Sequence, residues 1–197
     1  MTRHLVLFAR APQAGRVKRR LARDIGVLEA TRFYRAILGA QIHSLIRDRR
    51  WKLWLFVTPD NETAHPAWRG AAPVQPQGRG DLGQRMLAPF WKLPPGPVVL
   101  VGSDIPAMTP AHIAEAFRLL GQHDLVFGPA SDGGFWLIGA KRTRPIPRGL
   151  FDAVRWSTPQ ALADTRANIP ATVSVGLADI LDDVDDADDL RRVTSRG

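Results

Sequence analysis

The chain has 197 residues, 45% of them hydrophobic and 23% charged, a composition typical of a folded domain with a core of ordinary size. It contains no cysteine, which excludes disulfide bonds, thiol catalysis and cysteine-ligated zinc. No apolar run approaches the roughly 20 residues of a membrane helix, and the opening run Leu5–Ala9 is shorter than the about 7–15 residues of a signal-peptide core. The sequence therefore predicts one domain over residues 1–197, located in the cytoplasm and without a membrane segment.

The net charge is +8 and is unevenly distributed along the chain. Residues 1–50 carry twelve Lys and Arg against three Asp and Glu, whereas residues 151–197 carry five Arg against nine Asp. A basic region suits an anionic ligand such as a phosphate, and an acidic region suits a divalent cation. This polarity favours a nucleotide enzyme. A nucleic-acid-binding module is the alternative of a different class, because the basic region could contact a phosphate backbone.

The predicted elements alternate between strands and helices, which indicates an α/β fold with a mostly parallel sheet and helices on both faces. In chain order the predicted strands are Leu5–Ala9, Lys52–Val57, a short one near Val74, Val98–Val101, Asp124–Pro129, Phe135–Ala140 and Thr172–Val175. The predicted helices are a short one ending near Gly26, residues 27–48, Gly80–Leu93, Pro110–Leu120, one from Thr158-Pro159 to near Asn168, and a last one capped by Asp185 or Asp186 and reaching Val193.

The sequence predicts further details of two of these helices. In the helix over residues 27–48, apolar side chains recur at helical spacing and predict the buried face. They are Phe33, Ile37, Ala40 and Leu45. In the helix over 80–93, Pro89 is expected to break or kink the helix, because proline removes a hydrogen bond and clashes with the preceding turn.

The apolar run Val98–Val101 predicts a buried central strand that is covered on both faces. The strand ends at Gly102, so Asp104 lies at the carboxyl end of a buried strand, where open α/β sheets bind ligands. Thr109 and Pro110 then predict the N-cap and the first residue of a helix. Asp104 either is the chemical centre of the protein or merely caps a turn, and we take it as the centre.

A basic loop, residues 10–20, joins the first strand to the first helix. It contains one glycine and five cations, namely Gly15, Arg10, Arg16, Lys18, Arg19 and Arg20. Main-chain N–H groups at a helix N-terminus, reinforced by cations, can form a phosphate site. The glycine motifs of P-loops and dinucleotide-binding loops are both missing. The alternative is a solvated basic face of the helix.

The stretch Gly78–Met86 has three glycines within six residues, which would let the main chain approach a ligand closely. Alternatively, Asp81 and Arg85 simply pair where a helix begins. In the turn Asp132-Gly133-Gly134, the acid either shapes a hairpin or points into a cleft. Trp136 and Trp156, next to these motifs, are predicted to be core residues, with stacking on a base or sugar as the alternative.

The stretch Leu181–Leu190 places six carboxylates in eight positions. Acids favour a helix N-terminus through the helix dipole, so a solvated helix start accounts for most of them. One could complete a divalent metal site with Asp104, because Mg²⁺ is usually bound by one or two protein carboxylates together with substrate phosphates and water.

Together and in this order, these stretches resemble the DUF2064 family of glycosyltransferase-A-like proteins, whose members are often named selenodomain-associated or arsenosugar-biosynthesis glycosyltransferases. The resemblance covers nearly the whole chain. It implies the nucleotide-diphospho-sugar transferase fold, similar to that of the molybdopterin and phospholactate guanylyltransferases. The matching stretches are Phe8–Leu21, Gly80–Met86, Gly102–Pro106, Gly128–Gly139, Trp156–Thr158 and Asp183–Asp185.

The resemblance also implies residue roles. Asp104 and Asp185 would hold a divalent metal, Mg²⁺ or Mn²⁺. Apart from the resemblance, we expect Asp104, Lys18 and Asp132 to be the catalytic residues, with Asp132 orienting or deprotonating an acceptor hydroxyl. The family more often has Thr-Asp-Cys-Pro where this chain has Ser103-Asp-Ile-Pro106, a change that keeps the carboxylate. The residues expected to bind the nucleotide and its phosphates are Ala9, Arg10, Gly15, Arg16, Lys18, Arg20, Gly80, Asp81 and Leu82.

The predicted function is metal-dependent transfer of a sugar from a nucleotide sugar to a small-molecule acceptor. A nucleotidyltransferase would use the same metal and loop but would consume a nucleoside triphosphate and release pyrophosphate. A transferase-like protein that acts as a partner without activity is a further alternative. The Arg-rich helices are compatible with a homodimer.

Overall fold

The computed structural model describes residues 1–70 and 72–194, with the main chain alone for residues 193 and 194, so the last three residues of the predicted domain lie outside the described part. Within it, seven strands form one sheet. They are β1 His4–Arg10, β2 Lys52–Thr58, β3 Val74–Pro76, β4 Val98–Gly102, β5 Leu125–Pro129, β6 Phe135–Ala140 and β7 Val175–Leu177. The helices are α1 Leu21–Ile25, α2 Val27–Ile46, α3 Leu82–Lys92, α4 Pro110–Leu119, α5 Ala161–Ala167 and α6 Ala187–Thr194, with 3-10 turns at Asp60–Glu62 and Pro66–Trp68.

The strand order is β3-β2-β1-β4-β6-β5-β7. Strand β6 is antiparallel to both β4 and β5, while all other neighbours pair in parallel. The mostly parallel sheet is therefore confirmed. Because β6 runs against β4, the turn that precedes β6 lies at the same edge of the sheet as the carboxyl end of β4. This arrangement brings the predicted turn Asp132-Gly133-Gly134 to the edge that carries Asp104.

The two faces of the sheet are both covered. Leu5 and Leu7 of β1 belong to one buried cluster together with residues of α2 and α4. Val6, between them, belongs to a second cluster with residues of α3 and α5, as expected because successive side chains of a strand point to opposite faces. The central strand β4 is buried over Val98–Val101, with at most 4% of any side chain exposed. Helices on both faces and the buried central strand are thus confirmed.

The buried face of α2 differs from the predicted one. The helix buries Tyr34, Leu38, Gln41 and Leu45, whereas Ala40 is exposed and Phe33 and Ile37 are only partly buried. Hydrophobic periodicity failed here because the buried positions include polar side chains, among them Tyr34 and Gln41. Both of these polar side chains hold loops of the site described below.

Other details of the elements also differ from the predicted ones. Helix α3 runs through Pro89, and the predicted break is wrong: Pro89 is buried and the last turn closes with Leu93 N–H donating to the Pro89 carbonyl at 3.1 Å. Strand β7 begins at Val175 because Val175 is the residue that pairs with Leu125 of β5. Helix α5 begins at Ala161, because the residues from Thr158 onward form a turn against which the β5–β6 hairpin packs. None of the helices in the described part of the chain is long and apolar enough to cross a membrane.

Candidate functional site

The carboxyl end of β4 is held in place by two polar side chains of α2. The Tyr34 hydroxyl and Ser103 Oγ are 2.9 Å apart, and Gln41 Nε2 donates to the Ile105 carbonyl at 2.8 Å. These contacts flank Asp104 on both sides along the chain. A Cβ at Gly102 would lie 3.3 Å from Asp104 Oδ1, so the carboxylate packs closely against the strand end. Asp104 is thereby given a defined position with a side chain 33% exposed.

The acids of the stretch Leu181–Leu190 have different roles: some face Lys18, and one caps the last helix. Val184 is fully buried in a small cluster with Leu21 and Ala30. In an extended segment the neighbours of a buried residue point the other way, and both Asp183 and Asp185 face the cation of Lys18 instead. The prediction that Asp185 or Asp186 caps the last helix is confirmed for Asp186, whose Oδ1 accepts from two main-chain N–H groups of α6 at 3.0 Å each.

The three carboxylates meet around one lysine. Lys18 Nζ lies 2.6 Å from Asp104 Oδ2, 3.1 Å from Asp185 Oδ1 and 3.8 Å from Asp183 Oδ2. One oxygen from each acid lies within 4.8 Å of the other two, an arrangement that could hold a metal ion. Asp104 and Asp185 were predicted as a pair of ligands, whereas Asp183 was not predicted as a ligand. The sequence signal for Asp183 is that it and Asp185 flank the buried Val184.

The electrostatics of the cluster follow from its burial. Burial opposes the charge of Lys18, but the carboxylates of Asp104 and Asp185 outweigh it and raise the lysine pKa. Burial also raises the pKa of Asp183 to about 7, helped by the negative charges of Asp185 and Asp104. Burial acts on Asp185 in the same direction, yet Lys18 and the hydrogen bonds to Asp183 and Lys18 keep its pKa below the ordinary value. The cluster therefore carries excess negative charge around a single ammonium group.

The basic loop enters the site through Lys18 and Arg20. Lys18 adopts a φ of +44° just before α1 begins at Leu21, and only 5% of its side chain is exposed. It is therefore not part of a solvated basic helix face. Arg20 is 67% exposed and reaches Asp185 Oδ2 at 2.5 Å. Lys18 and Arg20, which are distant from the acids in sequence, thus form ion pairs with them in the folded chain.

The remaining residues of the first loop lie at the neighbouring strand end. Phe8 of β1 pairs in register with Gly102 of β4, so the loop that follows β1 starts beside Asp104. The main chain of Arg10 binds the Tyr34 hydroxyl, and the Ala9 carbonyl accepts from a glutamine side chain at 3.1 Å. That glutamine is Gln77, which ties the end of β1 to the glycine-rich stretch. Gly15 and Arg16 are exposed in the turns that follow, with φ +73° at Gly15.

The glycine-rich stretch starts α3. The Asp81 carboxylate accepts from Gln84 N–H at 2.8 Å, and Gln84 Oε1 accepts from Asp81 N–H at 3.2 Å, a reciprocal cap. Arg85 donates to the carbonyl of Asp81, not to its carboxylate. Gly80 has a φ of +101°, and a Cβ there would overlap Gln84. The Asp81 carboxylate therefore caps α3, while Leu82 lines the cleft described next.

A cleft of about 380 Å³ opens beside the carboxylates. Asp104 and Asp183 lie in its wall, together with Asp132 of the β5–β6 turn. Asp132 Oδ1 accepts from the Gly134 main-chain N–H at 2.8 Å, so this acid both shapes the turn and faces the cleft. The rest of the wall is mainly apolar and aromatic, and includes Phe8, Leu82, Met86, Phe135, Trp136, Ile138 and Trp156.

The two tryptophans next to the motifs differ in role. Trp136 is 4% exposed and donates through Nε1 to the Asp179 carbonyl at 3.0 Å, as a core residue with one polar contact. Trp156 is only partly buried and packs edge-on against Phe135 and Phe151. Trp136 is thus a core residue, as predicted, while Trp156 has a face available to the cleft.

The geometry and topology have counterparts among solved structures. The fold is similar to that of a candidate nucleotide-diphospho-sugar transferase from Desulfovibrio desulfuricans G20, with a TM-score of 0.86 and 28% identity over 98% of this chain and 87% of that one. It also resembles 4-diphosphocytidyl-2C-methyl-D-erythritol synthase from Anaerococcus prevotii DSM 20548 (TM-score 0.63, 7% identity, 99% and 97% covered). A third similar structure is glucosyl-3-phosphoglycerate synthase from Mycobacterium tuberculosis in complex with Mn²⁺, UDP and glucosyl-3-phosphoglycerate (TM-score 0.59, 13% identity, 99% of this chain and 76% of that one covered). The protein has the nucleotide-diphospho-sugar transferase fold.

The sequence itself identifies the family. Residues 41–158 match DUF2064, described as an uncharacterized protein conserved in bacteria. The match spans more than half of the chain, so the protein belongs to the DUF2064 family, as its motifs predicted. No curated protein matches the sequence.

Proposed function

We propose that the protein is a metal-dependent transferase that takes a sugar from a nucleotide-activated donor and passes it to a small-molecule acceptor. The observation that carries this proposal is the meeting of Asp104, Asp183 and Asp185 with Lys18 beside a mainly apolar cleft. The similar structure from Desulfovibrio desulfuricans and the Mn²⁺ and UDP complex of the mycobacterial synthase support the same class of reaction.

The three carboxylates fit a divalent metal. Hard oxygen ligands are those that Mg²⁺ and Mn²⁺ prefer, and the excess negative charge of this cluster favours a cation. Asp104, Asp183 and Asp185 would hold the ion. When bound, it would supply Lewis-acid stabilisation of the departing diphosphate, worth several kcal/mol in comparable enzymes.

The cationic loop suits the donor phosphates. The Lys18 ammonium lies among the three carboxylates and Arg20 contacts Asp185. Lys18 can contact a diphosphate as a point charge, and Arg20 can do so through its forked guanidinium group. Gly15, Arg16 and the main chain at Ala9 and Arg10 would extend this surface along the diphosphate. Gly80, Asp81 and Leu82 would lie against the nucleotide, with the cap at Asp81 holding the start of α3 in place.

The acceptor belongs in the apolar cleft. Its oxygen would form a bond to the anomeric carbon of the sugar while the bond from that carbon to the phosphate oxygen breaks. The hydroxyl proton would pass to Asp132, whose Oδ1 is oriented by Gly134 and whose Oδ2 we assign to the acceptor. The diphosphate leaves with the electron pair and is stabilised electrostatically by Lys18 and Arg20. An acceptor with an apolar body and a hydroxyl at one end matches this wall.

Removal of the Asp104 carboxylate tests the site. The wild type is first screened by thermal shift with nucleotides and nucleotide sugars, with and without Mg²⁺ or Mn²⁺, because ligands of the native state raise the midpoint. Asp104→Asn should keep its circular dichroism spectrum but lose the metal-dependent part of the shift. The matched control is Asp179→Asn, an acid outside the cluster with 69% of its side chain exposed. Unchanged metal-dependent binding by Asp104→Asn in calorimetry would refute the assignment.

A nucleotidyltransferase is the second candidate, favoured by the similarity in fold to the cytidyl-transferring synthase of Anaerococcus prevotii. Such an enzyme would release pyrophosphate from a nucleoside triphosphate, whereas a glycosyltransferase releases a nucleoside diphosphate. Mass spectrometry of the products formed with the screened ligands separates the two. If the protein is a glycosyltransferase, Asp132→Asn should abolish turnover and leave donor binding intact, because asparagine keeps the Oδ1 bond to the Gly134 N–H.

A further inference from the structure

The Lys18 ammonium lies where a metal ion would bind. It is within 4 Å of an oxygen of each member of the Asp104, Asp183 and Asp185 cluster. One carboxylate oxygen from each of the three acids lies within 4.8 Å of the other two. A divalent ion shared by the three would need oxygens at about 2.0–2.6 Å, so the ion and the ammonium would occupy overlapping space. Only one of the two cations fits among the carboxylates.

The lysine is held in this position by its surroundings. Its neighbour Val17 is 4% exposed and Leu21, at the start of α1, is fully buried, so the main chain on either side of Lys18 is anchored. The side chain is 5% exposed, and an unpaired buried ammonium is costly. Leaving the carboxylates therefore has a free-energy cost unless another anion receives the ammonium. The four-carbon stem is flexible enough to turn towards such an anion.

We propose that Lys18 serves as an internal cation that competes with the metal ion for these three carboxylates, and so couples metal binding to donor binding. In the free protein the ammonium offsets part of the negative charge of the cluster and weakens metal binding. A diphosphate would accept the ammonium and free the carboxylates for the metal. Because binding free energies are reciprocal, the metal would strengthen diphosphate binding by the same factor. This inference rests on the proposed function.

Arg20 offers a matched comparison. It carries the same charge and contacts the same cluster, but through Asp185 alone, with a side chain 67% exposed. It lies at the rim and does not occupy the space between the acids. A purely long-range electrostatic effect of a nearby cation would act similarly from both positions. Competition for space is specific to Lys18.

The test is the affinity of the protein for Mn²⁺ alone, measured by calorimetry and by the electron paramagnetic resonance of free Mn²⁺. Lys18→Met should bind Mn²⁺ at least about tenfold more tightly than the wild type, because the competing cation is gone. Arg20→Met should change the affinity by less than about threefold, as expected for an exposed charge. Lys18→Arg keeps a cation in place and should not show the gain. Equal affinities of Lys18→Met and wild type would overturn the proposal.

A second measurement does not depend on the stability of a variant. The wild type is acetylated at limiting reagent and the modification of Lys18 is quantified by mass spectrometry at increasing Mn²⁺. Displacement of the ammonium should increase its labelling in parallel with metal occupancy, while labelling of Lys52 stays constant. Constant labelling of Lys18 at saturating Mn²⁺ would contradict the proposal. If no variant and no condition gives Mn²⁺ binding, the proposed metal-dependent function itself is wrong.

Discussion

Tyr34 is a single side chain that joins two separate parts of the site. Its hydroxyl accepts from Arg10 N–H at 3.1 Å, donates to the Arg10 carbonyl or to Ser103, and lies 2.9 Å from Ser103 Oγ. Burial raises the pKa of this phenol, so the hydroxyl keeps its proton. The same atom thus connects the end of β1 with the end of β4.

Tyr34→Phe should lower the free energy of unfolding by about 1–3 kcal/mol, because the buried Ser103 hydroxyl and the main chain of Arg10 lose a hydrogen-bond partner. It should also weaken nucleotide binding, since the two loops are no longer joined. The control is Thr31→Val, which removes a buried hydroxyl of the same helix that donates to the Val27 carbonyl within that helix. Urea denaturation and calorimetry are the measurements; a control variant that weakens binding as much as Tyr34→Phe would show that the link is not specific.

At the scale of elements, α3 packs so closely on the segment after β6 that it needs a glycine. A Cβ at Gly83 would lie 2.5 Å from Phe151 Cβ and 3.1 Å from the Trp156 ring. This contact positions the aromatic wall of the cleft against the start of the helix. The β carbon of Phe151 is close to the main chain and cannot swing away as a flexible side-chain end can.

Gly83→Ala should therefore destabilise the protein by about 1–3 kcal/mol through overpacking, although alanine favours a helix by about 1 kcal/mol. Gly39→Ala is the control, since that glycine lies inside α2 with no atom within 4 Å of the added carbon. It should stabilise the protein by about 0.5–1 kcal/mol. Thermal and urea unfolding give both values, and opposite signs for the two variants are the expected result. Stabilisation by both would show that the Phe151 segment moves freely.

At the scale of the whole molecule, the basic and acidic ends of the chain meet at the site. Lys18 and Arg20 pair with Asp183 and Asp185, and the Ala187 N–H donates to Asp24 at 3.2 Å. Residues 1–50 are nevertheless strongly positive, because they carry twelve Lys and Arg against three Asp and Glu. Such a field accelerates the approach of anionic ligands.

The association rate of a nucleotide identified in the thermal screen should fall about tenfold as salt rises from about 20 to 500 mM, because screening shortens the range of the field. Stopped-flow fluorescence of the tryptophans measures this rate. A salt-independent rate would contradict steering. Double-stranded DNA is the comparison: tight binding at physiological salt, with a steep salt dependence, would favour the nucleic-acid-binding alternative instead.

Local patterns were sufficient to predict much of the fold. The buried run of β4, the start of α4 at Thr109-Pro110 and the hairpin before β6 depend on neighbours in sequence, and the structure confirms them. The place of β6 between β4 and β5 is a long-range pairing that no local pattern records. The buried face of α2 was missed because Tyr34 and Gln41 occupy core positions, where their polar groups bind the loops at Arg10, Ser103 and Ile105.

For the site, the sequence sufficed to place Asp104 at a strand end, a cationic loop after β1 and a run of acids near the chain's end. The family resemblance selected Asp185 from that run, and only the tertiary structure added Asp183, on the other side of the buried Val184, and put Lys18 among the acids. The physical reason is that ion pairs form between groups brought together by packing. Lys18 and Asp185 are 167 residues apart, and periodicity within either segment carries no information about their meeting.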